Sequence, residues 1–205
     1  MRRVIAIAPQ IIACLAALRV GAQQPDTSRA RAVLPSTADQ IAAAVTPLPQ
    51  EMRAGATVLG YAAIGKPLIV LRDGRNNMIC LAPDPTADTF HAACYHKAME
   101  PFMARGRELR AQGVRGPRVD TVRFAEVKSG KLKLPVHPAM LYQVFGGKFD
   151  AATGTVPGGQ SYFVIYVPFG TTETTGITAT QSAKDPWLMW PGTPKAHIMM
   201  PGSKM

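Results

Sequence analysis

The chain has 205 residues, 47% of them hydrophobic, and sets 23 Lys and Arg against 13 Asp and Glu for a formal charge of +10. That apolar share is enough for a proper core, and the length beyond any leader is that of one ordinary domain, so neither a chain too polar to pack nor a string of domains is expected. No internal repeat and no low-complexity segment interrupts it.

Residues 1–22, MRRVIAIAPQIIACLAALRVGA, read as a secretory signal: Arg2 and Arg3, an apolar run, then small residues, with cleavage expected after Ala22 and a mature start at Gln23. Pro9, Gln10 and Arg19 break the run, which falls short of the roughly 20 apolar residues that cross a bilayer, so no transmembrane segment is expected after cleavage. A competing reading is Ile11-Ile12-Ala13-Cys14, which fits the lipid-attachment box of bacterial lipoproteins and would anchor the protein through Cys14.

Export implies a periplasmic or extracellular location. Cleavage removes Arg2, Arg3 and Arg19 and no acid, which leaves a charge of +7. Such a cation meets acidic envelope polymers or lipid headgroups rather than nucleic acid, and the simplest reading is a solvated basic surface with no dedicated partner. Cleavage also removes Cys14 and leaves Cys80 and Cys94, an even pair in an oxidising compartment, for which a disulfide is the default. The short ring it closes adds on the order of 3 kcal/mol.

Residues 23–36 are polar and Pro-containing and read as a flexible linker, with a single domain over 37–205. Ser36 or Thr37 caps a short helix through Ala44 that Pro47 and Pro49 end. ATVLGYAAIG, PLIVLRDG and MICLAP, punctuated by Gly65-Lys66-Pro67, Asp73-Gly74 and Asn76-Asn77, read as three strands in a meander. From Thr89 the spacing turns helical through Met99, Phe102, Met103 and Leu109; Pro101 in the first turn starts that helix near Ala98 and leaves Cys94 in the preceding loop. A second helix fits Val119 to Val127. AMLYQVFGG and SYFVIYVPFG form an antiparallel hairpin around a long Gly/Thr/Pro turn, and a last strand fits Ala196 to Met200. Strands, then helices, then strands without βαβ alternation give an α+β fold: an antiparallel sheet with two or three helices packed mainly on one face.

No motif for a nucleophile, a zinc protease, haem attachment or nucleotide binding is present, so the catalytic residues are unknown and no cofactor is indicated. The sharpest constellation is His96, Met99, Glu100 and Met103, which share one face if helical, with His197 in a second group near the C-terminus. Imidazole with thioether suits monovalent copper, against the commoner reading of such a stripe as a packed helix face. A hydrolase would need His91, His96, His137 or His197 in a cleft beside a Ser or an acid. The arginines Arg105, Arg107, Arg110, Arg115, Arg118 and Arg123 could grip a phosphate or carboxylate, although their spacing favours a solvated helix end. Trp187 and Trp190 sit between Pro186 and Pro191, where burial as a lid on the core is expected over exposure as a stacking platform.

The runs MICLAPDP, FHAACYHKAMEPFMARGRELRAQG and PWLMWPGTPKAHIMM resemble a group of exported bacterial proteins to which no activity is assigned. The resemblance covers most of the mature chain and implies an exported single domain; it transfers no functional residue. The leading expectation is a non-enzymatic domain binding a small ligand or a cell-envelope component, with a copper-binding or metal-dependent protein as the alternative. Neither the ligand nor the oligomeric state follows from the residues.

Overall fold

A computed structural model describes residues 32–205, which form one unit, Ala32–Met205; the expected signal with Cys14, and the expected linker up to residue 31, lie outside the described residues. The elements in chain order are α1 (Thr37–Ala44), α2 (Gln50–Arg53), β1 (Thr57–Tyr61), β2 (Leu68–Arg72), β3 (Met78–Leu81), β4 (His91–His96), a 3-10 turn (Lys97–Met99), α3 (Glu100–Ala111), α4 (Arg118–Lys128), β5 (Ala139–Phe145), β6 (Gln160–Tyr166), α5 (Thr172–Thr175), β7 (Trp187–Met189) and β8 (His197–Lys204). The eight strands make one sheet in the order β2-β1-β3-β4-β5-β6-β8-β7. The fold is α+β. No helix of the described residues is long and apolar enough to cross a membrane.

Two features of the sheet differ from the sequence expectation. The first three strands are not a meander: β2 pairs antiparallel at the outer side of β1, and the chain then passes the start of β1 so that β3 pairs with it in parallel on the other side. The sheet is therefore mixed. The connection fits because the backbone amides of Arg75 and Asn76 both donate to Gly55 O at 2.7 and 2.9 Å. It needs a glycine at position 74, where a Cβ would lie 2.2 Å from Thr57 N. The second difference is β4, in the segment read as a loop before a helix. Ala92, Ala93, Cys94 and Tyr95 are all buried, because a central strand covered on both faces loses the alternation that marks a strand in sequence. The helix that follows does start beside Pro101, as its ring requires.

The helices also divide between the two faces. Ala44, Val45 and Leu48, in and just after α1, pack with Val58, Met78, Cys80 and Cys94 on one side. Met99 and Phe102, with half-buried Met103, Phe124 and Val127 of α3 and α4, pack with Tyr95, Leu141, Val164, Tyr166 and Trp187 on the other. Covering both faces explains how a single mixed sheet is shielded without a second sheet. The two tryptophans part company: Trp187 is buried in the core at 5% exposure, whereas Trp190 is 49% exposed, with Lys195 Nζ 4.8 Å from its ring centroid.

Cys80 and Cys94 are directly opposite one another on β3 and β4 and are joined by a disulfide. The bond thus ties two strands, and the loop it closes runs from residue 81 to residue 93.

Candidate functional site

That closed loop builds a cavity. Seven of the nine residues lining a space of about 210 Å3 lie inside the disulfide ring: Leu81, Ala82, Asp84, Ala87, Thr89, His91 and Ala93; Tyr61 and Leu68 complete it from the ends of β1 and β2. The walls are mainly aliphatic, and a phenol, a carboxylate, a hydroxyl and an imidazole are the polar groups among them. This composition, apolar walls with a few polar groups, is that of ligand sites, in a volume below the ~300 Å3 at which drug-sized pockets begin.

Each polar group is positioned by its neighbours. Tyr61 ends β1, and buried Gln40 of α1 clamps its backbone: Gln40 Oε1 accepts from Tyr61 N at 2.8 Å while its Nε2 donates to Tyr61 O at 3.1 Å. Gly60 makes room for that clamp, since a Cβ there would fall 2.7 Å from Gln40 Oε1. Burial, and the Asp84 carboxylate, push the Tyr61 phenol above its ordinary pKa, so the hydroxyl remains a neutral donor. Asp84 shapes the loop by accepting from the Thr86 backbone at 2.8 Å and the Thr86 hydroxyl at 2.7 Å. The His91 ring lies against Phe145 with centroids 3.9 Å apart, and its Nε2–H donates to Gln143 Oε1 at 3.2 Å. Desolvation lowers the His91 pKa despite that hydrogen bond, so the imidazole is neutral near pH 7.

The residues singled out for a metal are not gathered at one point. His96 ends β4 and its Nδ1 accepts from Ala98 N at 3.2 Å, opening the 3-10 turn. Met99 is wholly buried in the core, and Met103 packs beside it. Glu100 accepts from Tyr95 Oη at 2.5 Å and from Arg107 Nη2 at 2.6 Å. His197 is buried at the start of β8, where its Nδ1–H donates to Lys195 O at 2.7 Å. Strand alternation puts His96 and His197 on opposite sheet faces, three strand spacings or about 14 Å apart. Among the described residues no three His, Cys, Asp or Glu side chains come together in a group able to hold an ion.

The arginines turn to different partners, except that the guanidinium groups of Arg110 and Arg123 meet beside Gly106. Arg105 pairs with Glu126 at 2.7 Å and with Glu108 at 3.2 Å. Arg107 serves Glu100 and Tyr95, whose phenol, buried and beside a carboxylate, is held far above its ordinary pKa. Arg115 donates to backbone carbonyls, Arg118 is exposed, and Arg123 is 4% exposed in the seam between α3 and α4.

At the opposite end of the sheet a wider, more open hollow of about 400 Å3 lies between residues 134–138 and 167–175. His137 borders it together with Phe169, which holds a positive φ of 63°. Tyr61 and Asp84 carried no signal in the sequence; the one clue to Asp84 was its place in a Pro-flanked turn between the two cysteines. No family model, curated protein or solved structure matches the chain.

Proposed function

We propose that this protein is an exported binding domain that takes a small, neutral or cationic ligand in the cavity clasped by the Cys80–Cys94 ring. One observation carries the reading: an aliphatic cavity into whose lining the neutral Tyr61 phenol, the Asp84 carboxylate and the neutral His91 imidazole are built, on a loop whose two ends are covalently joined. A carboxylate without a cation among the lining residues favours a ligand bearing a donor or a positive charge. A tethered loop has less freedom to lose on binding, which favours affinity. Two features support export itself: the N-terminal leader and a disulfide suited to an oxidising compartment.

The test is an NMR-observed screen of amine- and hydroxyl-bearing fragments against the oxidised mature chain. Binding fragments are expected to shift the Tyr61 and His91 ring signals and to be lost in Ala87→Trp, which fills the cavity from an exposed loop position. Fragments that bind Ala87→Trp unchanged would overturn the assignment. For export, the protein recovered outside the cytoplasm should begin at Gln23; an acylated Cys14 would establish the lipid-anchored form instead.

A hydrolase is the second reading, favoured by His91 and Asp84 lining one cavity. Their hydrogen bonds run elsewhere, to Gln143 and Thr86, so neither orients the other as a catalytic pair requires. Turnover of ester substrates that His91→Gln abolishes without loss of binding would displace the binding reading.

A further inference from the structure

We propose that Arg110, Arg123 and Lys195 hold a phosphate group over Gly106, in the seam between α3 and α4, at the end of the sheet opposite the cavity. Gly106 is buried in the middle of α3, and a Cβ on it would lie 3.0 Å from Arg123 Nη1 and 3.2 Å from Arg110 Nη1. Two guanidinium groups therefore converge on one glycine. Packing like charges together is unfavourable unless an anion lies between or beside them.

The acids on hand do not supply it. Asp120 is shared, accepting from Arg123 Nη2 and, at 2.9 Å, from Lys195 Nζ. Glu100 already pairs with Arg107, and Glu126 and Glu108 pair with Arg105. Arg110 has no ion pair among the described residues, and Arg115 next to it donates only to carbonyls. Set against Asp120, the cations Arg110, Arg123 and Lys195 leave a surplus of two positive charges. The burial of Arg110 and the proximity of Arg123, then of Arg107 and Arg115, disfavour its charged form, and nearby Asp120 offsets them only in part.

A second, independent observation concerns Arg123. Its side chain is more than nine-tenths buried, lies over the Phe102 ring at 3.9 Å and donates to Phe102 O at 3.1 Å. Yet its Nε is buried with no hydrogen-bond partner among the described residues. A buried charged donor without an acceptor is costly, and it shows that Asp120, the acid beside Arg123, leaves this guanidinium incompletely satisfied. Guanidinium forks bind phosphate oxygens bidentately, and a phosphate group brings one negative charge as a diester and about −1.5 to −2 at pH 7 as a monoester or free ion, so either offsets part or all of the surplus.

The experiment titrates inorganic phosphate into the oxidised mature chain at constant ionic strength, following amide shifts of α3 and α4. Co-sedimentation with phosphatidylglycerol and with phosphatidylcholine vesicles runs in parallel. Saturable shifts centred on Gly106, weakened at least tenfold in Arg110→Gln and unchanged in Lys148→Gln, are the expected result. Arg110 is the diagnostic position because it is exposed, whereas loss of Arg123 threatens the α3–α4 seam. Preferential pelleting with phosphatidylglycerol that Arg110→Gln abolishes assigns the phosphate to a lipid headgroup; phosphate binding without vesicle preference assigns it to a soluble compound. Shifts that do not saturate, or that Arg110→Gln leaves intact, overturn the proposal.

Discussion

The disulfide gives the most direct test of how this structure is held. Its partners are 14 residues apart in sequence, and closing such a ring stabilises the native state by about 3 kcal/mol through the unfolded chain. Reducing wild-type protein isolates that contribution, because both thiols stay in place and their volume is kept. In Cys80→Ala/Cys94→Ala two sulfurs are also lost from wholly buried sites, which adds about 1.5 kcal/mol at roughly 0.8 kcal/mol per methylene-sized group. A domain of this size loses about 2–4 °C of Tm per kcal/mol. Melts followed by circular dichroism should therefore fall by about 6–12 °C on reduction and by about 9–18 °C in the double variant. Fragment binding to the cavity should weaken in both, since most of its wall lies within the ring. A reduced protein melting within about 2 °C of the oxidised one, or free thiols in the mass spectrum of unreduced protein, would refute the reasoning.

Three further outcomes follow from single contacts. Gln40→Ala leaves the Tyr61 amide and carbonyl without their clamp and should cost about 1–3 kcal/mol, read from the urea midpoint; a loss under 0.3 kcal/mol would mean that water replaces it. Tyr95→Phe removes the hydroxyl joining Glu100 and Arg107 and should lower stability by about 1–2 kcal/mol, whereas an unchanged midpoint would show that the ion pair alone suffices. Burial lowers the pKa of His197, as does nearby Lys195, and burial lowers that of His91. The unfolded chain then binds more protons than the folded one, so stability is full above pH 6.5 and declines as pH falls through the folded-state values. His197→Gln should flatten that decline, and an unchanged slope would contradict it.

How much could be read beforehand varied with the physics of each element. Ser36 caps α1 from its predicted place, its Oγ accepting from Asp39 N at 3.1 Å, because a cap is a local interaction. The hairpin of β5 and β6 is local too, and its alternation survives. β4 was hidden because its alanines and Cys94 face cover on both sides, and the parallel pairing of β1 with β3 was hidden because nothing in a strand's own residues names its neighbour. The disulfide was legible from the count of cysteines. The cavity was not: Tyr61 and Asp84 meet only through the crossing of β3 past β1, and Gly106 reveals its meaning only once Arg110 and Arg123 are seen closing over it.

The position of β2 at the rim of the sheet also governs how this protein behaves when concentrated. Its five residues, LIVLR, offer one unpaired backbone row, and Ile69 and Val70 are 46% and 53% exposed. Such an edge is a template for a strand of another molecule. Two features act as gatekeepers: Pro67 cannot donate at its entrance, and Arg72 charges its exit while donating inward to Ala56 O at 2.9 Å. The rim at β7 is only three residues long, too short to recruit a partner, so β2 is where aggregation would begin.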